Sequence, residues 1–161
     1  MKRIGFLGVD TLTESLVKLL FKAVPDTQIF ISPGSGEPAQ KLAKDYPCWT
    51  QDSHQAVVDE ADIIFINIDR HALNRLSSGI KLAPGKTLIS LVPGVQIREL
   101  QEMFNHANCV RFLFVNVNDS SKAVVILTAA TAQITDLFSL LGSVSVLSRE
   151  SDFNMIEKNL L

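Results

Sequence analysis

Apolar runs of strand length alternate with amphipathic stretches of helical period along the whole chain, and this alternation constrains the fold more than any motif. The clearest run is Ile63-Ile64-Phe65-Ile66, apolar at every position. A strand of that kind must be covered on both faces, so it belongs inside a parallel sheet flanked by helices. Strands are predicted at Arg3 to Gly8, Gln28 to Ser32, Ile63 to Ile68, Thr87 to Leu91, Val110 to Val115, Ala123 to Thr128 and Ser143 to Leu147, with a short strand at Cys48-Trp49. Helices are predicted at Leu12 to Leu20, Pro38 to Asp45, Ser53 to Glu60, Asp69 to Gly79, Gln96 to Phe104 and Thr131 to Leu141. The fold class is α/β: a three-layer doubly wound domain with a mainly parallel sheet. At 161 residues the chain suits one such domain, over 1–148, followed by a helix at 149–161.

Hydrophobic residues make up 47% and charged residues 20%, which places the chain among globular proteins. A net charge of −2 with interspersed signs gives no footprint for nucleic acid or an anionic membrane. Cys48 and Cys109 lie in no CxxC or Cys/His cluster, so they read as core or near-core thiols of a reducing compartment, with no metal site. The apolar stretch after Lys2-Arg3 stops at Asp10, too soon for a signal peptide, and no run approaches the ~20 apolar residues of a membrane helix. A cytoplasmic location is expected.

In a doubly wound fold the turn after the first strand holds a pyrophosphate on backbone amides and the helix N-terminus, and it uses glycines because side chains would take the phosphate's space. Here that turn reads Gly8-Val9-Asp10-Thr11-Leu12-Thr13, against G-x-G-x-x-G/A. Only the first glycine is present. Asp10 brings bulk and charge: two like charges ~4 Å apart at an effective dielectric near 20 repel by about 4 kcal/mol. Asp10 is equally a good N-cap for the helix behind it.

The segments Ile4-Gly5-Phe6-Leu7-Gly8, Ala61-Asp62-Ile63-Ile64-Phe65, Ser90-Leu91-Val92-Pro93-Gly94-Val95-Gln96-Ile97 and Arg111-Phe112-Leu113-Phe114 resemble, in this order, the N-terminal Rossmann-like domain of the pyrroline-5-carboxylate reductase family. The resemblance covers nearly the whole chain. It implies NADP as cofactor and hydride transfer to a cyclic imine. It would put the pyrophosphate contacts on Gly8, Val9, Asp10, Thr11 and Leu12. The 2′-phosphate pocket would fall on Ser32, Pro33 and Ser35, with Ser53 in the place of an asparagine. Ile68 and Asp69 stand in the family's Val-Lys-Pro segment, and Val92, Pro93 and Gly94 form its nicotinamide-side turn. No Asp or Glu ends the second strand, which favours NADP over NAD. The family's Met-Pro-Asn-Thr is Leu113-Phe114-Val115-Asn116 here, and no catalytic residue is assigned. The helix at 149–161 corresponds to the start of the family's dimerisation domain, so a homodimer through it is expected, along with a substrate site that this chain does not complete.

Other chemistry-bearing residues have plainer readings. His54, His71 and His106 lack triad or metal spacing and read as surface or capping residues. Asp59, Glu60 and Asp62 read as a solvated helix end, and Trp49 as core packing. The turn at Pro93-Gly94 is either a cofactor-bearing turn or an ordinary strand-to-helix connection. Three functions are compatible with the sequence: a divergent oxidoreductase domain of this family, not competent alone; a noncatalytic interaction or regulatory module that has lost its dinucleotide; or a nucleotide or flavin module outside the family, which the fold alone permits.

Overall fold

The first apolar run folds as β1 (Arg3–Leu7), and the leucine-rich stretch behind it as α1 (Thr11–Ala23), which buries Leu16, Val17 and Leu20. The chain continues through β2 (Gln28–Ile31), α2 (Gly36–Asp45), β3 (Cys48–Thr50), α3 (His54–Glu60), β4 (Ile63–Ile66), α4 (Arg70–Gly79), β5 (Thr87–Ser90) and α5 (Ile97–Met103). It ends with β6 (Asn108–Asn116), β7 (Ala123–Leu127), α6 (Ala132–Ser139), β8 (Gly142–Val146) and α7 (Glu150–Leu160). The computed structural model describes residues 2–33, 36–116 and 123–160.

Among the described residues the strands form one eight-stranded sheet in the order β3-β2-β1-β4-β5-β6-β7-β8. The pairings are parallel except β6 with β7. Leu16, Leu20, Leu42 and Phe138, from α1, α2 and α6, cover one face, and Val57, Leu73 and Leu100, from α3, α4 and α5, cover the other. This is the expected three-layer α/β arrangement. The strand order reverses between β1 and β4, and ligands of such sheets bind in the crevice at that switch point.

Several helices begin one residue later than the periodicity suggested, because the polar residue in front serves as a cap. Ser53, Asp69 and Thr131 have extended backbones and accept hydrogen bonds from Ala56, Ala72 and Ile134. One expectation fails outright. Trp49 is 56% exposed, since β3 is an edge strand, and among the described residues its ring meets one aromatic partner, Phe30, at 6.3 Å between centroids.

Candidate functional site

At the C-terminal end of β1 the chain turns sharply into α1. Gly8 has φ +92°, and a Cβ there would stand 2.4 Å from the Asn67 carbonyl oxygen, so the turn lies directly against the end of β4. Its N–H donates to Ser32 Oγ at 3.1 Å, which ties the end of β2 to the same turn. Val9 is buried, while Asp10, Thr11 and Leu12 face solvent.

Asp10 closes the start of α1. Its Oδ1 accepts from the Thr13 amide at 2.9 Å, and its own N–H donates to Thr13 Oγ1 at 2.7 Å, giving a reciprocal capping box. Partial burial works against the charged carboxylate, but the Thr13 amide, the Asn67 side chain, the Thr13 hydroxyl and the Leu12 amide outweigh it and hold the carboxyl below its ordinary range. Asp10 thus stays ionised. The positive end of α1 is occupied by the chain's own carboxylate.

On the adenosine side of the crevice, Ser32 is buried and Pro33 half-buried; Ser35 lies outside the described residues. Ser53 caps α3 and Asp69 caps α4. Between these two helices opens a cleft of about 470 Å³, lined by Leu7, Ser53, His54, Ile68, Ala72 and Arg75 among others. Of the expected 2′-phosphate and adenosine residues, the structure therefore joins Ser53 to Ile68 in one cleft. Ser32 is drawn to the Gly8 turn, and the Asp69 carboxylate is engaged by its own helix.

On the opposite side, Val92 is buried and Pro93 and Gly94 are exposed. The Gly94 N–H donates to Glu157 Oε1 at 2.9 Å, and the Ile97 N–H to Glu150 Oε2 at 2.7 Å. Both acceptors belong to α7. The centre of this contact is Arg111 of β6, 1% exposed, whose guanidinium donates to Glu157 at 2.8 Å, to Glu150 at 3.2 Å and to Asn154. It also lies over the Phe153 ring at 4.5 Å. Asn154 completes the set by donating to Gln96 Oε1 at 2.9 Å. Residues 150, 153, 154 and 157 share one helix face, so a single face of α7 clamps onto β6 and the start of α5. Beside it lies a smaller cavity of about 220 Å³, walled by Leu12, Leu91, Pro93, Phe114, Glu157 and Leu160.

Sequence reasoning quoted Arg111 only within a matching segment and assigned it no contact. A signal was available: an arginine inside an otherwise apolar strand must find acids, and acids or amides at positions 150, 154 and 157 lie on one face of a later helix. The remaining residues behave as follows. Asp59, Glu60 and Asp62 are solvent-facing, with Glu60 paired to Arg3 and Asp59 accepting from Gln55. His71 and His106 are exposed; His54, the first residue of α3, is half-buried, and its Nδ1 is buried without a hydrogen-bond partner. Cys109 is buried and Cys48 half-buried, both as free thiols. Among the described residues no group of three His, Cys, Asp or Glu could hold a metal, and no helix is long and apolar enough to cross a membrane.

A dinucleotide needs room for its adenosine, free amides for its pyrophosphate and an open turn for its nicotinamide. The adenosine side offers a cleft. The first turn of α1 does not fit a pyrophosphate, because the Asp10 carboxylate, held on the Thr13 and Leu12 amides, sets a negative charge at the helix end where the phosphates would lie. At the third place, the Gly94 amide is already engaged by Glu157.

A family model described as NADP oxidoreductase coenzyme F420-dependent matches residues 3–94. Solved structures share the fold across nearly the whole chain. A 1-pyrroline-5-carboxylate reductase from Streptococcus pyogenes is 21% identical, with a TM-score of 0.72, over 94% of this chain and 60% of its own. A reductive aminase from Aspergillus terreus, in complex with NADPH and ethyl levulinate, is 14% identical with a TM-score of 0.81, over 99% and 60% respectively. A pyrroline-5-carboxylate reductase from Coxiella burnetii is 17% identical, with a TM-score of 0.79, over 95% and 61%. The chain thus spans about 60% of the length of these proteins.

Proposed function

The chain belongs to the NADP oxidoreductase coenzyme F420-dependent family, and from that premise we propose that it is a divergent, pyrroline-5-carboxylate reductase-like nucleotide-binding domain that does not catalyse alone. Its reaction class would be reduction of a cyclic imine by NADPH, the cofactor supplying the hydride, with the rest of the substrate site contributed from outside these residues. Proline biosynthesis would be the setting that the resemblance implies, and a cytoplasmic location accords with the two free thiols.

The observation that carries this reading is the ionised Asp10 carboxylate on the first-turn amides of α1. A penalty of about 4 kcal/mol against a pyrophosphate corresponds to roughly a thousandfold in affinity. Titration of the chain with NADPH tests it directly. Weak binding in the parent and tightening of about a hundredfold or more in Asp10→Gly are expected, because glycine removes the charge at a capping cost of only a few tenths of a kcal/mol. Tight binding by the parent, or no gain in the variant, contradicts this reading.

A second reading is favoured by Glu157 on the Gly94 amide, which occupies the nicotinamide-side turn as well. Under it the domain is a noncatalytic interaction or regulatory module. Failure of both parent and Asp10→Gly to bind NADPH would select it. Homodimer formation through α7 belongs to either version and is supported by the exposed Met155 and Leu160 of that helix. A purely monomeric sedimentation profile at high concentration would remove it.

A further inference from the structure

We propose that β8 is a dimerisation edge: a second copy of this chain pairs with it antiparallel about a twofold axis at Val144, joining the two eight-stranded sheets into one. The surface lies apart from α7 and from the crevice at the switch point, so the inference does not depend on the function proposed above.

β8 ends the sheet, and among the described residues its one strand neighbour is β7. Just beyond β8, the Leu147 N–H donates to the Leu127 carbonyl at 2.8 Å. Main-chain groups alternate sides along a strand, so those of Ser143 and Ser145 face β7 as well, and those of Gly142, Val144 and Val146 point away from the sheet. Donors and acceptors thus alternate along an open edge. Such an edge is a template for another strand unless something blunts it.

Nothing in the local sequence blunts this one. Between Asp136 and Arg149 the chain has no charged residue and no proline. The opposite edge is guarded, since β3 is three residues long, with Pro47 before it and Asp52 close behind.

The occupant follows from self-complementarity. In an antiparallel pair centred on Val144, that residue faces its own copy as a hydrogen-bonded pair and Gly142 faces the partner's Val146, so each outward donor meets an outward acceptor. With no charge on the strand, no like charges are opposed. Alternation puts Val144 and Val146 on the face that α6 covers, where Val144 packs against the core cluster that includes Phe138. Val146 is 44% exposed, and Leu140, at the end of α6, is 61% exposed. The same register brings Leu140 of one copy toward the partner's Val146, so pairing also removes apolar surface from water. On the other face Ser143 and Ser145, both exposed, stand opposite each other across the axis, one from each copy.

That last pairing makes the register testable by charge. Sedimentation velocity of the whole chain over a concentration series compares the parent with three double variants: Ser143→Lys with Ser145→Lys, Ser143→Glu with Ser145→Glu, and Ser143→Lys with Ser145→Glu. The parent should show a monomer–dimer equilibrium. The double-lysine and double-glutamate variants should each dimerise about tenfold more weakly, because like charges then face each other twice; the lysine–glutamate variant, and an equal mixture of the other two, should associate about as well as the parent. Recovery by opposite charges at the same positions keeps a folding defect from imitating the loss. A parent that stays monomeric, assembly that grows beyond the dimer, a double-lysine variant that dimerises like the parent, or a lysine–glutamate variant as weak as the double-lysine one overturns the proposal. Met155→Glu on α7 should leave this dimer intact; if it dissociates the parent dimer and the double-lysine variant does not, the α7 interface is the one in use and this proposal falls.

Discussion

Replacing Arg111 by Met tests whether α7 is clamped to the sheet by one buried cation. Methionine keeps the aliphatic part of the side chain but removes the guanidinium that lies over Phe153 and the charge that Glu157 and Glu150 share. The Glu157 side chain is 10% exposed and would be left with the Gly94 amide as its partner, whereas the Glu150 side chain, at 30%, is better hydrated. Removing one member of a buried pair costs about 3–5 kcal/mol, and an exposed pair contributes about 0–1. With one partner buried and one half-hydrated, a loss of about 3 kcal/mol is expected. In a domain of this size that lowers the melting temperature by roughly 6–12 °C. Urea unfolding followed by far-UV circular dichroism measures it, with an unchanged m-value showing that the transition stays two-state. The double variant Arg111→Met with Glu157→Gln should recover part of the loss, since the stranded charge is then gone. A loss below about 1 kcal/mol for the single variant, or no recovery in the double, would refute the clamp.

Gly8→Ala should destabilise by about 2–4 kcal/mol in the same urea assay, because φ is +92° and the new Cβ would press on the Asn67 carbonyl; a change within about 0.5 kcal/mol would contradict that geometry. Asp10→Ala should cost about 1 kcal/mol at neutral pH through the lost cap. The folded pKa of Asp10 lies below its unfolded value, so this contribution is complete above about pH 4 and fades as pH falls through the folded pKa; a parent-to-variant gap that stays constant in acid would count against it. Burial pushes both the Cys48 and Cys109 thiols up to about 11, so at pH 8 alkylation should run about a hundredfold or more below a free thiol, and rapid labelling of the native protein would be the contrary result.

What could be read from the sequence divides by the distance over which each interaction acts along the chain. The run 63–66 is buried at every position, and Ser53, Asp69 and Thr131 cap helices three residues ahead of themselves, so strand and helix assignments follow from neighbours alone. Asp10 belongs to the same class: its partner Thr13 is three residues away, and both its roles, cap and obstacle to a phosphate, were visible locally. Trp49 was misjudged because membership of a strand does not say whether that strand is central or at an edge; only the order of the whole sheet does. Arg111 went unassigned for the same reason, since its partners lie 39, 43 and 46 residues further on and meet it only after the sheet has formed. His54 and Arg75, from α3 and α4, are likewise brought to one cleft by the passage of α3 from β3, past β2 and β1, to β4. The features that would decide function here, the cleft and the clamp, are therefore properties of the crossover and of the last helix. A change confined to either could alter what the domain binds while leaving every local sequence signal of the fold intact.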